Sequence, residues 1–380
     1  MEIISMYNDT SLYIHIPFCK QKCLYCDFTS YCGREDTMVE YSKALSKEID
    51  NVKNKKISTI FIGGGTPTYL CLQGWNILKQ SIDKLSKTSN LEFTVESNPK
   101  TFDEEKLKFL KSIGVNRLSI GLQSWQDKHL KSLGRIHTKD EFLKSYHMAR
   151  NMGFKNINVD LMFGIPNQTL DDWKETLDEV TKLNPEHLSC YSLIIEEGTP
   201  FYDFYEKNKI ELPSEELERE MYYYTLKFLE GKGYHQYEIS NFAKKNYECR
   251  HNLVYWDLNE YIGCGAAAHS YVDGYRYRNE NDIEKYIECM KENKSPITEK
   301  LKSSFKSDIE EFMFMGLRKI KGISKKEFYK RFNKEIYDLY GEVIKKYKAN
   351  GLLVEKDDYL SLSHKGIEVS NYVLSDFILD

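Results

Sequence analysis

The sequence lacks the long apolar run of a membrane span and the leader of a secreted protein. No stretch of its 380 residues approaches the roughly 18 apolar residues that a bilayer-spanning helix needs. The first ten residues, MEIISMYNDT, have no positively charged start followed by an apolar core, so we predict no secretory signal. The nine cysteines lack the paired arrangement of a disulfide framework, since three lie close together and the others are scattered singly. These absences predict a cytoplasmic protein with no membrane span.

The chain does contain a regular alternation of strand-like and helix-like segments through its first two-thirds. The strand-like segments are residues 11–16, 59–62, 91–96, 116–122, 155–162 and 187–193. Strands separated by helices of ten or more residues pair in parallel as βαβ units. Six such units predict an α/β fold with a partial (β/α)6 TIM-like barrel, and a doubly wound sheet is the alternative that periodicity alone leaves open.

The alternating pattern changes after Glu196, which suggests further domains. We predict a core domain over residues 1–235 and an irregular, aromatic-rich segment over 236–302 that packs on the barrel. For residues 303–380 the pattern predicts three helices, a hairpin and a last helix. This order of elements is typical of a winged-helix-like α+β domain. This last domain is locally basic from Arg318 to Lys348, but its basic residues alternate with acidic ones, as on a solvated helix face. Because the net charge of the chain is −4, we predict no nucleic-acid partner. A DNA-binding winged-helix regulator that carries a metal sensor is the alternative.

Three cysteines within eight residues follow the first predicted strand. Cys19, Cys23 and Cys26 would place three thiolates on one loop, which can hold an iron–sulfur cube and leave its fourth iron open. The alternative is a zinc site with Cys32 or His15 as the fourth ligand. Structural zinc sites usually join two cysteine pairs that are far apart, and this sequence has no second pair.

Polar and glycine residues stand where later strands end. Residues 63–67 read Gly-Gly-Gly-Thr-Pro, which allows close approach of backbone to a ligand; a tight turn is the alternative. Glu96, Gln123 and Asp160 lie at or near successive strand ends, where side chains of a barrel converge on one cavity; each alone could be a cap. Arg135 suits a carboxylate or phosphate, or else is simply solvated.

A second informative segment is residues 249–256, in which His251 precedes Asn252, Tyr255 and Trp256. A neutral imidazole beside aromatic walls could ligate haem iron. The alternative is a histidine whose polar atoms are satisfied by packing. Residues 263–270, Gly-Cys-Gly-Ala-Ala-Ala-His-Ser, allow close backbone approach or form a tightly packed turn.

The C-x3-C-x2-C spacing after a first strand resembles the radical S-adenosylmethionine (SAM) superfamily. Within it, the whole chain resembles the coproporphyrinogen dehydrogenase-like branch, through residues 13–17, 19–26, 63–67, 121–124, 133–137, 160–166 and 263–270. The coproporphyrinogen III oxidases of this branch have a fourth cysteine two positions after the third, and a long N-terminal extension. Here Phe28 stands in place of that cysteine and eighteen residues precede Cys19. The short start, the Cys-Asp-Phe ending and the complete H-N-x-x-Y-W motif at residues 251–256 resemble the HemW-type haem chaperones instead.

The resemblance implies a function and a role for each matched residue. We expect a haem chaperone that transfers haem to acceptor proteins and receives single electrons from a reductant; an oxygen-independent coproporphyrinogen III oxidase is the alternative. The expected cofactors are a [4Fe–4S] cluster, SAM and haem. Cys19, Cys23 and Cys26 would hold the cluster, and His251 would contact haem. Residues implied to contact one or two SAM molecules are Tyr13, Tyr25, Gly64, Gly65, Thr66, Glu96, Gln123, Arg135 and Asp160.

Overall fold

A row of six parallel strands forms the centre of the molecule in the computed structural model, which describes residues 9–379. The strands are β1 (Asp9–Ile16), β2 (Lys56–Gly64), β3 (Ser86–Ser97), β4 (Arg117–Gln123), β5 (Ile157–Phe163) and β6 (His187–Ser192). Each pairs with the next strand along the chain. In the described part of the chain β1 and β6 do not pair with each other, so the barrel is open.

This topology confirms the predicted α/β fold with a partial barrel. The order of the six strands follows the chain without the reversal of a doubly wound sheet, so that alternative is wrong. The predicted lack of a leader depends largely on residues 1–8, which lie outside the described residues. Residue 380, the predicted end of the last domain, also lies outside them. Between residues 9 and 379 no helix is long and apolar enough to cross a bilayer.

Helices connect these strands or follow the last of them, and they cover the outside of the row. They are α1 (Met38–Asp50), α2 (Leu72–Ile82), α3 (Glu104–Ser112), α4 (Asp127–Ser132), α5 (Lys139–Asn151), α6 (Leu170–Lys182), α7 (Pro200–Glu206) and α8 (Glu215–Gly231). Both α5 and α6 begin with a capping box, formed by Thr138 with Glu141 and by Thr169 with Asp172. The apolar faces of α5 and α6 are buried, and the capping boxes fix the residue at which each helix begins. Both helices therefore hold the preceding loops in place at the carboxyl ends of the strands.

The segment 236–302, which we predicted to be irregular, is largely regular, and the prediction is wrong on this point. Its elements are β7 (His235–Glu238), β8 (Asn241–Ala243), α9 (Arg250–Trp256), β9 (Tyr261–Cys264), β10 (His269–Val272), β11 (Tyr275–Asn279), α10 (Ile283–Lys291) and β12 (Ile297–Lys302). Strands β8 and β7 extend the sheet beyond β6, whereas β9 to β12 extend it beyond β1. These strands have only three to six residues and β12 is exposed throughout, so they carry no clear alternation of apolar and polar residues.

The C-terminal part has its own apolar core. It comprises α11 (Phe305–Gly316), β13 (Ile323–Ser324), α12 (Lys325–Phe332), α13 (Ile336–Ala349), β14 (Leu353–Lys356), β15 (Tyr359–Leu362), α14 (His364–Glu368) and α15 (Ser370–Ser375). Three aromatic rings, Phe312, Phe328 and Phe332, pack edge to face at its centre. The three helices and the hairpin are as predicted, whereas the single last helix is replaced by two short ones. The predicted domain limits stay predictions.

Candidate cluster and cofactor site

The cysteine loop that follows β1 is held in a defined shape by backbone hydrogen bonds. The Cys19 amide donates to the Tyr31 carbonyl at 2.9 Å, and the Tyr31 amide donates to the Pro17 carbonyl at 2.7 Å. The Leu24 amide donates to the Leu133 carbonyl at 3.1 Å, which joins the loop to the segment after α4. Cys19 is buried, while Cys23 and Cys26 are half-buried on the same loop.

The thiols of this loop lie close enough to influence one another. Burial raises the pKa of Cys26 to about 11, and the neighbouring Cys23 and Cys19 add to the increase. Burial also raises the pKa of Cys19, and Cys32 and Cys23 contribute. Three thiolates in this space would repel one another unless they shared a cation, which fits an iron–sulfur cluster as their common partner.

The zinc alternative fits the same loop poorly. Cys32 is exposed, and both ring nitrogens of His15 are engaged: the Tyr13 hydroxyl lies 2.9 Å from Nδ1, and the Thr29 carbonyl lies 2.8 Å from Nε2. Within residues 9–379 no group of three His, Cys, Asp or Glu side chains is arranged to hold a single metal ion. A four-iron cube spreads its thiolate ligands over several metal atoms, so its ligands need not converge on one point.

Arg135 provides positive charge beside the cysteines. Its Nη1 lies 3.5 Å from Cys23 Sγ, and Nη2 donates to Asn98 Oδ1 at 2.5 Å and to the Gly121 carbonyl at 2.7 Å. Its Nε is buried and has no hydrogen-bond partner among the described residues. The alternative of a solvated arginine is therefore wrong, and the Nε–H of the guanidinium remains available to a bound group.

Asn98 connects the cysteine loop, the glycine segment and Arg135, and the sequence analysis did not single it out. Its amide nitrogen donates to Thr66 Oγ1 at 2.8 Å, and that hydroxyl lies 3.5 Å from Cys19 Sγ. A narrow hollow of about 20 Å³ is lined here by Lys20, Gln21, Cys23, Thr66, Asn98, Thr101, Gly134, Arg135, Ile136 and His137. Asn98 could have been found from the sequence by its position at a strand end, two residues after Glu96.

The glycine segment packs directly on the residues before the cysteines. Gly64 has φ +108°, and a Cβ there would lie 2.4 Å from the His15 ring. The Gly65 amide donates to the Ile16 carbonyl at 2.9 Å, and a Cβ on Gly65 would lie 2.8 Å from the Phe18 carbonyl oxygen. Packing alone therefore requires these glycines, and their predicted contact with SAM stays a prediction.

Two carboxyl groups, Glu96 at the end of β3 and Asp160 on β5, face the same interior space. Glu96 Oε2 accepts a hydrogen bond from the Gly64 amide at 3.2 Å. Burial raises the pKa of Glu96 to about 8, and the charge of Asp160 adds to the increase. Asp160 accepts hydrogen bonds from Asn158 at 2.7 Å and from Ser119 at 3.0 Å, while burial raises its pKa. An ammonium or sulfonium group near this pair would favour the ionised forms.

The remaining predicted residues surround this space without all meeting at one point. Gln123 ends β4 in a left-handed conformation, with φ +75°, and is buried. Tyr25 is half-buried on the cysteine loop, and burial, followed by the neighbouring Cys23, raises its pKa. Tyr13 lies instead in the wall of a second, larger cavity, which does not include Cys23, Thr66 or Arg135 in its lining.

His251 lies in α9 and both of its ring nitrogens are engaged. The Thr59 hydroxyl donates to Ser11 Oγ at 2.8 Å, so His251 Nδ1–H donates to Thr59 at 2.7 Å and Nε2 accepts from the Tyr255 hydroxyl at 2.9 Å. Burial and the charge of Arg117 lower the pKa of His251 to about 3. In this arrangement both ring nitrogens of His251 are engaged, as the alternative of a packed histidine predicts, and the contact of His251 with haem stays a prediction.

Glu92 on β3 fixes the start of the same helix and was also missed. Its carboxylate accepts hydrogen bonds from the backbone amides of Arg250 and His251, both at 3.0 Å. A carboxylate at the first turn also interacts favourably with the helix dipole. Its position in the middle of a strand gave no sequence signal, because only the fold brings residues 92 and 251 together.

The open barrel, the cysteine loop after its first strand and the glycine segment after its second are the features of a radical SAM protein. A sequence model of the radical SAM superfamily matches residues 13–180, and one of the HemN C-terminal domain matches residues 306–369. The chain belongs to this superfamily and, within it, to the family of the proteins named heme chaperone HemW, as the following relatives show.

The HemW of Bacillus subtilis is 41% identical over 97% of this chain and 99% of its own length. That of Lactococcus lactis is 37% identical over 99% of both chains. The solved structure of HemN, the coproporphyrinogen III oxidase of Escherichia coli, superposes with a TM-score of 0.84 at 23% identity, over 98% of this chain and 90% of its own. The recognised family and the fold class are thus confirmed, and the likeness to HemN concerns the fold alone.

Proposed function

We propose that this protein is a haem chaperone that carries a [4Fe–4S] cluster and SAM, binds haem and passes it to acceptor proteins. The observation that carries the proposal is the identity of 41% with the heme chaperone HemW of Bacillus subtilis over almost the whole of both chains. The aromatic cavity beside the cysteine loop supports it, because a flat apolar ligand needs such walls.

The residues of the chain fit the cluster and SAM in chemical type. Cys19, Cys23 and Cys26 would hold the cluster, with Arg135 balancing part of the thiolate charge. Bound together, cluster and SAM supply one-electron chemistry at the carboxyl ends of the strands, fed by a separate reductant. Glu96 and Asp160 would meet the cationic parts of SAM, and Gln123 and Thr66 offer neutral polar contacts. The nine free thiols support a reducing, cytoplasmic setting.

The test compares haem binding with turnover of coproporphyrinogen III. Anaerobically reconstituted protein is titrated with haem, and haem transfer to an apo-acceptor is followed by absorbance. In parallel, the same preparation is incubated with SAM, a reductant and coproporphyrinogen III. We expect haem binding and transfer with no porphyrin product. Efficient conversion of coproporphyrinogen III, without haem transfer, would replace the proposal by the oxidase alternative.

A further inference from the structure

Three separate parts of the chain build the larger cavity. It has a volume of about 320 Å³ and is lined by Tyr13, His15, Asp27, Phe28, Thr29, Tyr255, Tyr261, Ala267 and His269. These residues come from β1, from the segment directly after Cys26, and from α9 to β10. The cavity therefore lies beside the cysteine loop, and its volume is within the range of about 300–1,000 Å³ of small-molecule sites.

Four of the nine residues that line this cavity are Tyr or Phe. Tyr255 and Tyr261 meet edge to face with ring centroids 4.7 Å apart. Phe28 is 64% exposed at the cavity, which is unusual for a large apolar residue and leaves its ring available to a ligand. A flat, largely apolar ligand fits these walls.

His269 is the one histidine of the cavity with no hydrogen bond to its ring among residues 9–379. His15, also in the wall, uses both nitrogens. The exposed His269 stands on β10 at the cavity, and partial burial of its ring, followed by the charge of Arg278, keeps the pKa of the imidazole below its usual range. The neutral imidazole is the form that binds iron.

Arg278 supplies a complementary charge next to this histidine. It is directly opposite His269 in the antiparallel pair of β10 and β11, so both side chains lie on the same face. Its guanidinium makes no hydrogen bond or ion pair within the described chain, in contrast to Arg276, which is paired with Glu311. A free guanidinium next to an aromatic cavity fits a ligand that is flat and carries carboxylates.

We propose that this cavity is the haem site, in which His269 would bind the iron and Arg278 would pair with a propionate. His251 is then a positioning residue: through the bond from Tyr255 to its Nε2 it holds the Tyr255 ring in the cavity wall. This inference rests on the proposed function and names the residues that the iron and the carboxylates of haem would contact. It also gives the H-N-x-x-Y-W motif a task that does not require a free His251 nitrogen.

The test is an absorbance titration with haem and, separately, with iron-free protoporphyrin IX. The His269→Ala variant should bind haem at least about tenfold more weakly, without the Soret shift of imidazole ligation, and added imidazole should restore that shift. Iron-free protoporphyrin IX has no metal for His269 to bind, so this variant should bind it like the wild type. His251→Ala should retain the Soret position while binding both ligands more weakly. His364→Ala, at an exposed position on a helix of the C-terminal part, is the matched control.

The outcomes separate the inference from the function on which it depends. If the wild type binds no haem, the proposed function and the inference fail together. If the wild type binds haem and His269→Ala shows an unchanged Soret position and affinity, only the inference is overturned. A His269→Cys variant adds a positive signal, because a thiolate ligand should move the Soret band to a different position. Loss of binding of iron-free protoporphyrin by His269→Ala would indicate a collapsed cavity and would also overturn the assigned role.

Discussion

Arg135 Nη1 lies 3.5 Å from Cys23 Sγ. The guanidinium is fixed in this position by hydrogen bonds to Asn98 and to the Gly121 carbonyl, so it places a positive charge beside the cysteine loop. Arg135→Gln keeps a polar side chain but removes this charge. We expect cluster retention to fall about tenfold or more, the usual cost of losing a partner of a metal ligand. Iron and acid-labile sulfide per chain after reconstitution measure the effect.

Arg219→Gln is the matched control for this change. Arg219 forms an exposed ion pair with Glu368, far along the chain from the cysteines, so its loss should leave the iron content unchanged. Equal iron content in Arg135→Gln and the wild type would show that the guanidinium does not support the cluster.

The cysteine loop gives a prediction that separates an iron cluster from a zinc site. Cys26→Ser should abolish the visible absorbance of the reconstituted protein, whereas Cys32→Ser should leave it intact, because Cys32 is exposed and outside the spaced trio. Metal analysis of both variants decides the matter. Zinc in the wild type, lost in Cys32→Ser, would contradict the cluster.

Glu96 makes the stability of the cofactor-free protein depend on pH. Its pKa is raised from the usual 4.5 to about 8 by burial and by Asp160, so the folded state holds a proton that the unfolded state has lost. The stabilisation is present below about pH 4.5 and declines as the pH rises toward 8. Between pH 5.5 and 8 the wild type should lose on the order of 1–3 kcal/mol more than Glu96→Gln, once solvent screening is allowed for.

Urea unfolding of wild type and variant at these two pH values measures that difference. Asp160 contributes a loss of the same sign in both proteins, because its pKa is also raised, and its coupling to Glu96 forms part of the measured difference. Equal pH dependence in the two proteins would show that Glu96 is ionised throughout.

Gly64 is a position where a single methyl group should be costly. Gly64→Ala combines strain at φ +108° with a Cβ 2.4 Å from the His15 ring, so we expect a loss of about 2–4 kcal/mol in the free energy of unfolding. Gly198→Ala is the matched control: its φ is +82° but its Cβ would have no neighbour within 4 Å, so only about 1 kcal/mol should be lost. Similar losses at both positions would rule out the clash with His15.

Local patterns were enough to predict the six parallel strands, because each contains a short apolar run that lies next to a helical segment. The cysteine loop and Glu96 were found in the same way, since each stands next to a strand end. Long-range pairing could not be read from the sequence. The burial of His251 depends on Thr59 from a distant strand, and α9 is anchored by Glu92, so the motif alone suggested an open ligand. Strands β9 to β12 escaped detection because they are short and form one edge of the sheet.

The parallel pairing of β9 with β1 also sets an order of events during synthesis. All residues of the cysteine site precede residue 161, so they leave the ribosome well before the chain reaches His269. The aromatic cavity can close only when β9 returns to the strand that was made first. Translation thus separates the two proposed sites in time, because the residues proposed to hold the cluster are complete before the residues proposed to contact haem have been made.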